Sequence, residues 1–168
     1  MRIGVLSDTH DRLPMIDTAV RLFNAVGVEV VLHAGDLVSP IVAEAFSGLS
    51  CRLIAVFGNN DGDRLYLTER FAKLGIGGFF GDHHEFILGD RRLVLMHQPR
   101  SIEALAASGE FDLIVYGHTH RIDLRTVGAG KGTTILNPGE ACGWLTGRAT
   151  AAIVNLDLLE SELIELHS

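Results

Sequence analysis

The chain has 168 residues, 47 % of them apolar, and a formal net charge of −7, a size at which one domain buries roughly two thirds of the surface its unfolded chain would expose. No apolar stretch reaches the ~20 residues of a membrane helix, no secretory pattern precedes the first strand, and no Lys/Arg cluster offers a general nucleic-acid surface. Cys51 and Cys142 form no C-x-x-C pair and read as buried thiols without a functional role, so the expectation is one soluble, cytoplasmic domain over residues 1–168.

In chain order, strand and helix alternate through the first half. Strand Arg2–Ser7 precedes a helix near Met15–Val26, strand Glu29–His33 a helix near Ser39–Phe46, and strand Arg52–Phe57 a helix near Arg64–Leu74. Ser39-Pro40 reads as an N-cap followed by proline in the first turn, and Gly27 and Gly75 stand where helices stop. Such alternation implies parallel pairing through right-handed crossovers. A Gly-rich bend from Gly75 to Gly81 then changes the pattern. Glu85–Leu88 and Arg92–Met96 flank the hairpin signal Gly89-Asp90, and a short helix near Ile102–Ala107 leads to strand Leu113–Tyr116. Strands Ile122–Val127, Thr133–Leu136, Thr150–Asp157 and Glu162–Leu166 follow with no room for helices between them. The expected fold is α/β, a four-layer α-β-β-α sandwich of two mixed sheets.

Five of the apolar runs end on a residue able to hold a hard metal ion: Asp8 and His10, Asp36, Asn59, His97, and the pair His118 and His120. Buried strands with a ligand just past each carboxyl end place all of these donors at one edge of the sheets. Taken singly, most have a bland reading. Asp8, Asp36 and Asn59 suit turns, and a histidine on an apolar strand is commonly a satisfied core residue. Five independent strand ends with suitable donors are hard to reach by turns and chance. Seven oxygen and nitrogen donors exceed the needs of one ion and suit two that share a carboxylate. Without thiolate they favour Mn first, with Fe, Zn, Ni or Mg as alternatives over copper(I).

The order Asp-x-His, Gly-Asp, Gly-Asn-x-Asp, a strand-ending His and Gly-His-x-His resembles the calcineurin-like metallophosphoesterase superfamily. Ser7-Asp8-Thr9-His10, His33-Ala34-Gly35-Asp36, Gly117-His118-Thr119-His120 and Asn137-Pro138-Gly139 are similar to its small bacterial and archaeal phosphodiesterase branch. The resemblance covers nearly the whole chain. It implies that Asp8, His10 and His120 bind a first ion, Asn59, His97 and His118 a second, and that Asp36 bridges both. It also implies hydrolysis of a small or activated phosphate ester by a metal-bridging hydroxide, with no protein nucleophile. The runner-up is a catalytically weak scaffold, the use that the retromer subunit makes of this fold.

The chain departs from the family pattern at several places. Asn60 stands where many larger members carry a histidine that serves as general acid, which biases the reading toward diesters and activated esters. His33 reads either as a replacement donor or as a structural residue, and Asp61 either orients a ligand or caps a helix. Gln98 replaces a usual Gly after the strand-ending His97 and narrows the pocket, and Glu140 follows Asn137-Pro138-Gly139 where Ser is commoner, an acid expected near the phosphate pocket. Arg12, Arg64, Arg100 and Arg121 neighbour the motif loops as candidate phosphate contacts. His83, His84 and His167 read as surface residues. The loop aromatics Phe79, Phe80 and Trp144 are more apolar surface than one small domain should expose and predict a homodimer or higher homo-oligomer.

Overall fold

The computed structural model describes residues 1–130 and 132–167. Its first half runs β1 (Arg2–Leu6), α1 (Leu13–Val26), β2 (Val30–His33), α2 (Val42–Phe46), β3 (Arg52–Ala55), α3 (Arg64–Leu74) and β4 (Gly77–Phe79). The second runs β5 (His83–Leu88), β6 (Arg91–Met96), α4 (Ile102–Ala107), β7 (Leu113–Val115), β8 (Ile122–Val127), β9 (Thr133–Pro138), β10 (Thr150–Asn155) and β11 (Glu160–Glu165). One sheet has the order β11-β10-β1-β2-β3-β4 and the other β5-β6-β7-β9-β8. β1, β2, β3 and β4 are parallel, as are β6, β7 and β9, and the remaining pairs are antiparallel. Both sheets are therefore mixed.

Three apolar clusters separate four layers. Met15, Ile16, Ala19, Val20 and Phe23 of α1 recur at helical spacing and pack with Phe46 and Phe71 on one face of the first sheet. Ile3, Val5, Leu32 and Ile54 meet Leu93, Leu95, Val115 and Leu136 between the sheets. Val94, Met96, Ile114 and Ile135 pack under Ala106 of α4. β2 is buried along its whole length, as a strand covered on both faces should be. The edge strands β5 and β8 alternate between half-buried and exposed residues. The parallel strands of both sheets bring the loops after β1, β2, β3, β6 and β7 together at one rim.

Four expectations are corrected. The Gly-rich bend contains β4, which pairs Gly77 with Leu53. A Cβ on Gly77 would stand 1.9 Å from the Leu53 carbonyl oxygen, so the strand needs a residue that strand propensity disfavours. Ser39 does not cap a helix. Its backbone N–H and hydroxyl donate to Asp11 Oδ1 at 3.0 and 2.9 Å, and α2 starts only at Val42. Phe79 and Phe80 are half-buried. Phe79 stacks on Phe57 at 4.5 Å, and Phe80 joins a stack with His84 and Phe86, so neither is free apolar surface and His84 is half-buried with them. Among the described residues, no helix is long and apolar enough to cross a membrane.

Candidate metal centre

The five ligand loops are bound to one another before any ion is considered. Asp8 N–H donates to Gly35 O at 3.0 Å and His10 N–H to Asp36 O at 3.1 Å, which lays the β1 loop along the β2 loop. Asp61 ties the β2 and β3 loops: its Oδ2 accepts from Asp36 N–H at 3.2 Å and Gly58 N–H at 2.7 Å, and its Oδ1 from Val38 N–H at 2.7 Å. The helix cap is instead Asp63, which accepts from Tyr66 N–H. From the second sheet, Gly117 N–H donates to His97 O and His118 N–H to Asp8 Oδ2, both at 3.0 Å. The fit leaves no room for side chains at two glycines: a Cβ on Gly58 would stand 2.1 Å from Asp36 Oδ1, and one on Gly117 1.9 Å from Ser7 Oγ.

Asp8, His10, Asp36, His118 and His120 all have positive φ, between 39° and 68°. This region is uncommon for residues with a Cβ, costs of order 1–3 kcal/mol each and gathers at functional sites. The strain turns side chains inward that an extended continuation would scatter.

The structure brings all seven donor residues to one place. Asp36 Oδ2 lies 3.3 Å from His97 Nε2 and 3.6 Å from His10 Nε2. Asp8 Oδ1 lies 3.4 Å from His120 Nε2 and 3.8 Å from His10 Nε2. Asn59 Oδ1 is 3.0 Å from His97 Nε2, and the His118 ring meets the His97 ring at 5.1 Å between centroids.

Hydrogen bonding assigns the imidazole tautomers. His97 Nδ1 faces the Ala34 carbonyl at 2.7 Å and His120 Nδ1 faces Glu140 Oε2 at 2.6 Å. Both acceptors require N–H at Nδ1. In the neutral rings Nε2 is then a lone pair, and it points at oxygen: Asp36 and Asn59 for His97, Asp8 for His120. Buried Asp8 Oδ1 and His10 Nε2 have no hydrogen-bond partner, a costly condition. Divalent ions among these atoms relieve both problems, so the donor set fits them.

Without ions, protons substitute in part. Burial opposes charge on His97, but Asp36 outweighs it and raises its pKa; the neighbouring Asp8 carboxylate raises that of His10. Asp36 is held below the usual carboxylate range, burial being outweighed by His97 and the Asn60 N–H.

The remaining candidates fall into supporting positions. Asn60 N–H and Nδ2 donate to Asp36 Oδ1 and Oδ2, each at 2.8 Å. His33 is fully buried. Its Nδ1 accepts from Gly35 N–H at 3.1 Å, its Nε2 meets Thr9 Oγ1 at 3.2 Å, and burial pushes its pKa down to about 3. These contacts brace it between the β1 and β2 loops.

Glu140 stands close to the donors, against His120, and is sealed from solvent. It is 1 % exposed, and besides His120 it accepts from Leu145 N–H, Thr146 N–H and Oγ1, and the Cys142 thiol. Burial opposes ionisation, but these donors, His120 first, hold its carboxyl down to about 2. The Cys142 thiol, pushed up to about 12 by burial, stays protonated beside His10 and His120. The partnership of Glu140 and Cys142 with His120 was missed from sequence. The one available signal was an acid two residues before a cysteine, just past a strand that ends near the donors. Arg12 donates to Cys142 O and lies over the Trp144 ring at 4.8 Å, while Arg121 is exposed.

Comparison with known proteins gives the family and the fold. A model of the calcineurin-like phosphoesterase superfamily domain matches residues 1–158. Phosphodiesterase MJ0936 of Methanocaldococcus jannaschii is 37 % identical over 168 residues, covering 99 % of each chain. A solved archaeal phosphodiesterase superimposes with a TM-score of 0.91 at 37 % identity, over 99 % of this chain and 100 % of the other. The phosphoesterase YfcE of Escherichia coli, at 20 % identity, shares the fold with a TM-score of 0.68 over 99 % of this chain and 100 % of its own.

Proposed function

The chain belongs to the calcineurin-like phosphoesterase superfamily, and from that membership and the donor geometry we propose that it hydrolyses phosphodiesters with two divalent ions. Asp8, His10 and His120 hold one, Asn59, His97 and His118 the other, and Asp36 lies between them. The observation that carries this reading is the pair of Nε2 lone pairs, on His97 and His120, aimed at oxygen while each Nδ1 is committed elsewhere. Two such ions supply a water of lowered pKa and draw charge from the phosphoryl oxygens.

The protein's own groups do the positioning. Glu140 and the Ala34 carbonyl fix the ring tautomers, and Asn60 and Asp61 hold Asp36. The two hydroxyls of the first ligand loop are committed, Ser7 Oγ donating to Asp8 Oδ2 and Thr9 Oγ1 meeting His33 Nε2, which accords with a reaction that needs no protein nucleophile. Neither Asn60 nor the sealed His33 delivers a proton to the departing oxygen, so esters with acidic leaving groups are the preferred substrates. Manganese is the first choice of ion, ahead of Fe, Zn, Ni and Mg, since the seven donors are nitrogen and oxygen and the Cys142 thiol is directed to Glu140. A scaffold role has no observation in its favour over catalysis, with the whole donor set in place. Cytoplasmic residence accords with two free cysteines. Of the loop aromatics only Trp144 still supports a homodimer, at 63 % exposure beside Leu145 at 76 %.

The test is turnover of bis(4-nitrophenyl) phosphate against 4-nitrophenyl phosphate by the Mn-loaded protein. The reading expects faster diester hydrolysis, lost with EDTA and restored by Mn. A protein holding two ions and inert toward diesters would refute it.

A further inference from the structure

Beside Asn59 and His97 opens a cleft of about 280 Å3 with Arg64 and Arg100 in its wall. Six other arginines, Arg21, Arg70, Arg91, Arg92, Arg125 and Arg148, are each ion-paired with a carboxylate. Arg64 and Arg100, like Arg2, Arg12, Arg52 and Arg121, have no such partner among the described residues, but these two share one cleft. The cleft also holds one carboxylate, Asp82, so two guanidiniums stand against one acid in a chain whose net charge is −7.

Both guanidiniums are held in place by neutral oxygens. Arg64 donates from Nη2 to Gly58 O at 2.8 Å and from Nε to Asp61 O at 3.4 Å, and lies over the Phe57 ring at 4.9 Å. Arg100 donates from Nε and Nη2 to Gln98 Oε1 at 3.1 and 2.7 Å. Neutral acceptors orient an arginine without cancelling its charge. Gln98, which stands where the family pattern has Gly, therefore does not merely narrow the pocket: it fixes Arg100. The apolar wall does not suit a stacked base, because Phe57 is stacked on Phe79 at 4.5 Å and carries the Arg64 guanidinium.

We propose that this cleft is a second oxyanion subsite, in which Arg64 and Arg100 bind a carboxylate or phosphate carried by the substrate beyond its scissile phosphodiester. The proposal deepens the phosphodiesterase reading and rests on it. A diester bearing one further acidic group would then be preferred over a neutral-tailed one, and the preference would be lost in high salt.

Binding tests the subsite without requiring turnover. Titration calorimetry of the Mn-loaded protein compares phenylphosphonate with its 4-carboxy and 4-phosphono derivatives, which separate the two oxyanion sources. The wild type should bind at least one derivative about 10-fold more tightly than the parent. Arg100→Ala should cut that ratio about 5-fold or more and Gln98→Gly by about 2–3-fold, with Arg64→Lys also lowering it. Equal metal content in each variant excludes an indirect effect through the ions. A wild-type ratio near 1, or a ratio that none of the three substitutions changes, overturns the proposal. Kinetics with phenyl 4-nitrophenyl phosphate, run in parallel, separates this from the parent reading: no turnover with two ions bound refutes the diesterase, and a flat binding ratio refutes the subsite.

Discussion

Around Asp8, His10 and His120 the supporting groups are buried and cross-braced, with Ser7 Oγ donating to Asp8 Oδ2 at 2.5 Å and Glu140 under His120 at 2.6 Å. Around Asn59, His97 and His118 only His97 is buried; Asn59 and His118 are exposed, and the arginine-lined cleft opens beside them. Asp36 belongs to both halves. The contrast separates two tasks. Donors whose orientation is fixed by buried partners lose little entropy on binding an ion and hold it tightly, whereas exposed donors leave an ion accessible to substrate and more readily lost.

The largest break in this comparison comes from the residue the halves share. Asp36→Asn should remove both ions and lower kcat/KM by about 10³-fold or more, while the apolar layers keep the fold. Metal analysis beside circular dichroism reads this out. Retention of both ions would remove Asp36 from its place between them.

Glu140→Gln probes the braced half alone. Loss of the carboxylate under His120 should weaken one of two ion-binding events about 10–100-fold and leave the other unchanged, by competition with a chelator. The same variant carries a pH signature in the metal-free protein. The folded pKa of Glu140 is about 2 against an ordinary 4.5, so its contribution to stability is complete above pH 4.5 and fades as pH falls toward 2. The gap in urea midpoint between wild type and Glu140→Gln should close across that window.

Asn59→Ala probes the open half. It should weaken the other ion about 10-fold and spare the one that Glu140 supports, again by chelator competition. If both substitutions weaken the same ion, the halves are not independent.

The smallest expected effect is a slope. With no proton donor at Asn60 or His33, kcat/KM should fall steeply as leaving-group pKa rises across a series of aryl diesters. A shallow slope would place an acid near the departing oxygen.

The donors were legible in sequence because each follows a short apolar run, and buried parallel strands leave one consistent edge for what comes next. Their supports were less so. Asp61 and Asp63 are both acids at the start of a helix, and only the three-dimensional approach of the Asp36 loop decides that Asp61 joins loops while Asp63 caps. Glu140 was read only as an acid near the pocket, because its bonds to Leu145 and Thr146 depend on that loop folding back over it, a tertiary event without local signature. β4 was missed because Gly77 answers a steric demand from Leu53 that propensity does not express. Phe79 and Phe80, adjacent to glycines, carried no period to show which face they bury.

The most direct test of the central claim is the anomalous scattering of crystals grown with Mn. Two peaks about 3.5–4 Å apart should appear, with Asp36 between them, Asp8, His10 and His120 around one, and Asn59, His97 and His118 around the other. A single peak at full occupancy, or a pair that does not share Asp36, would contradict it.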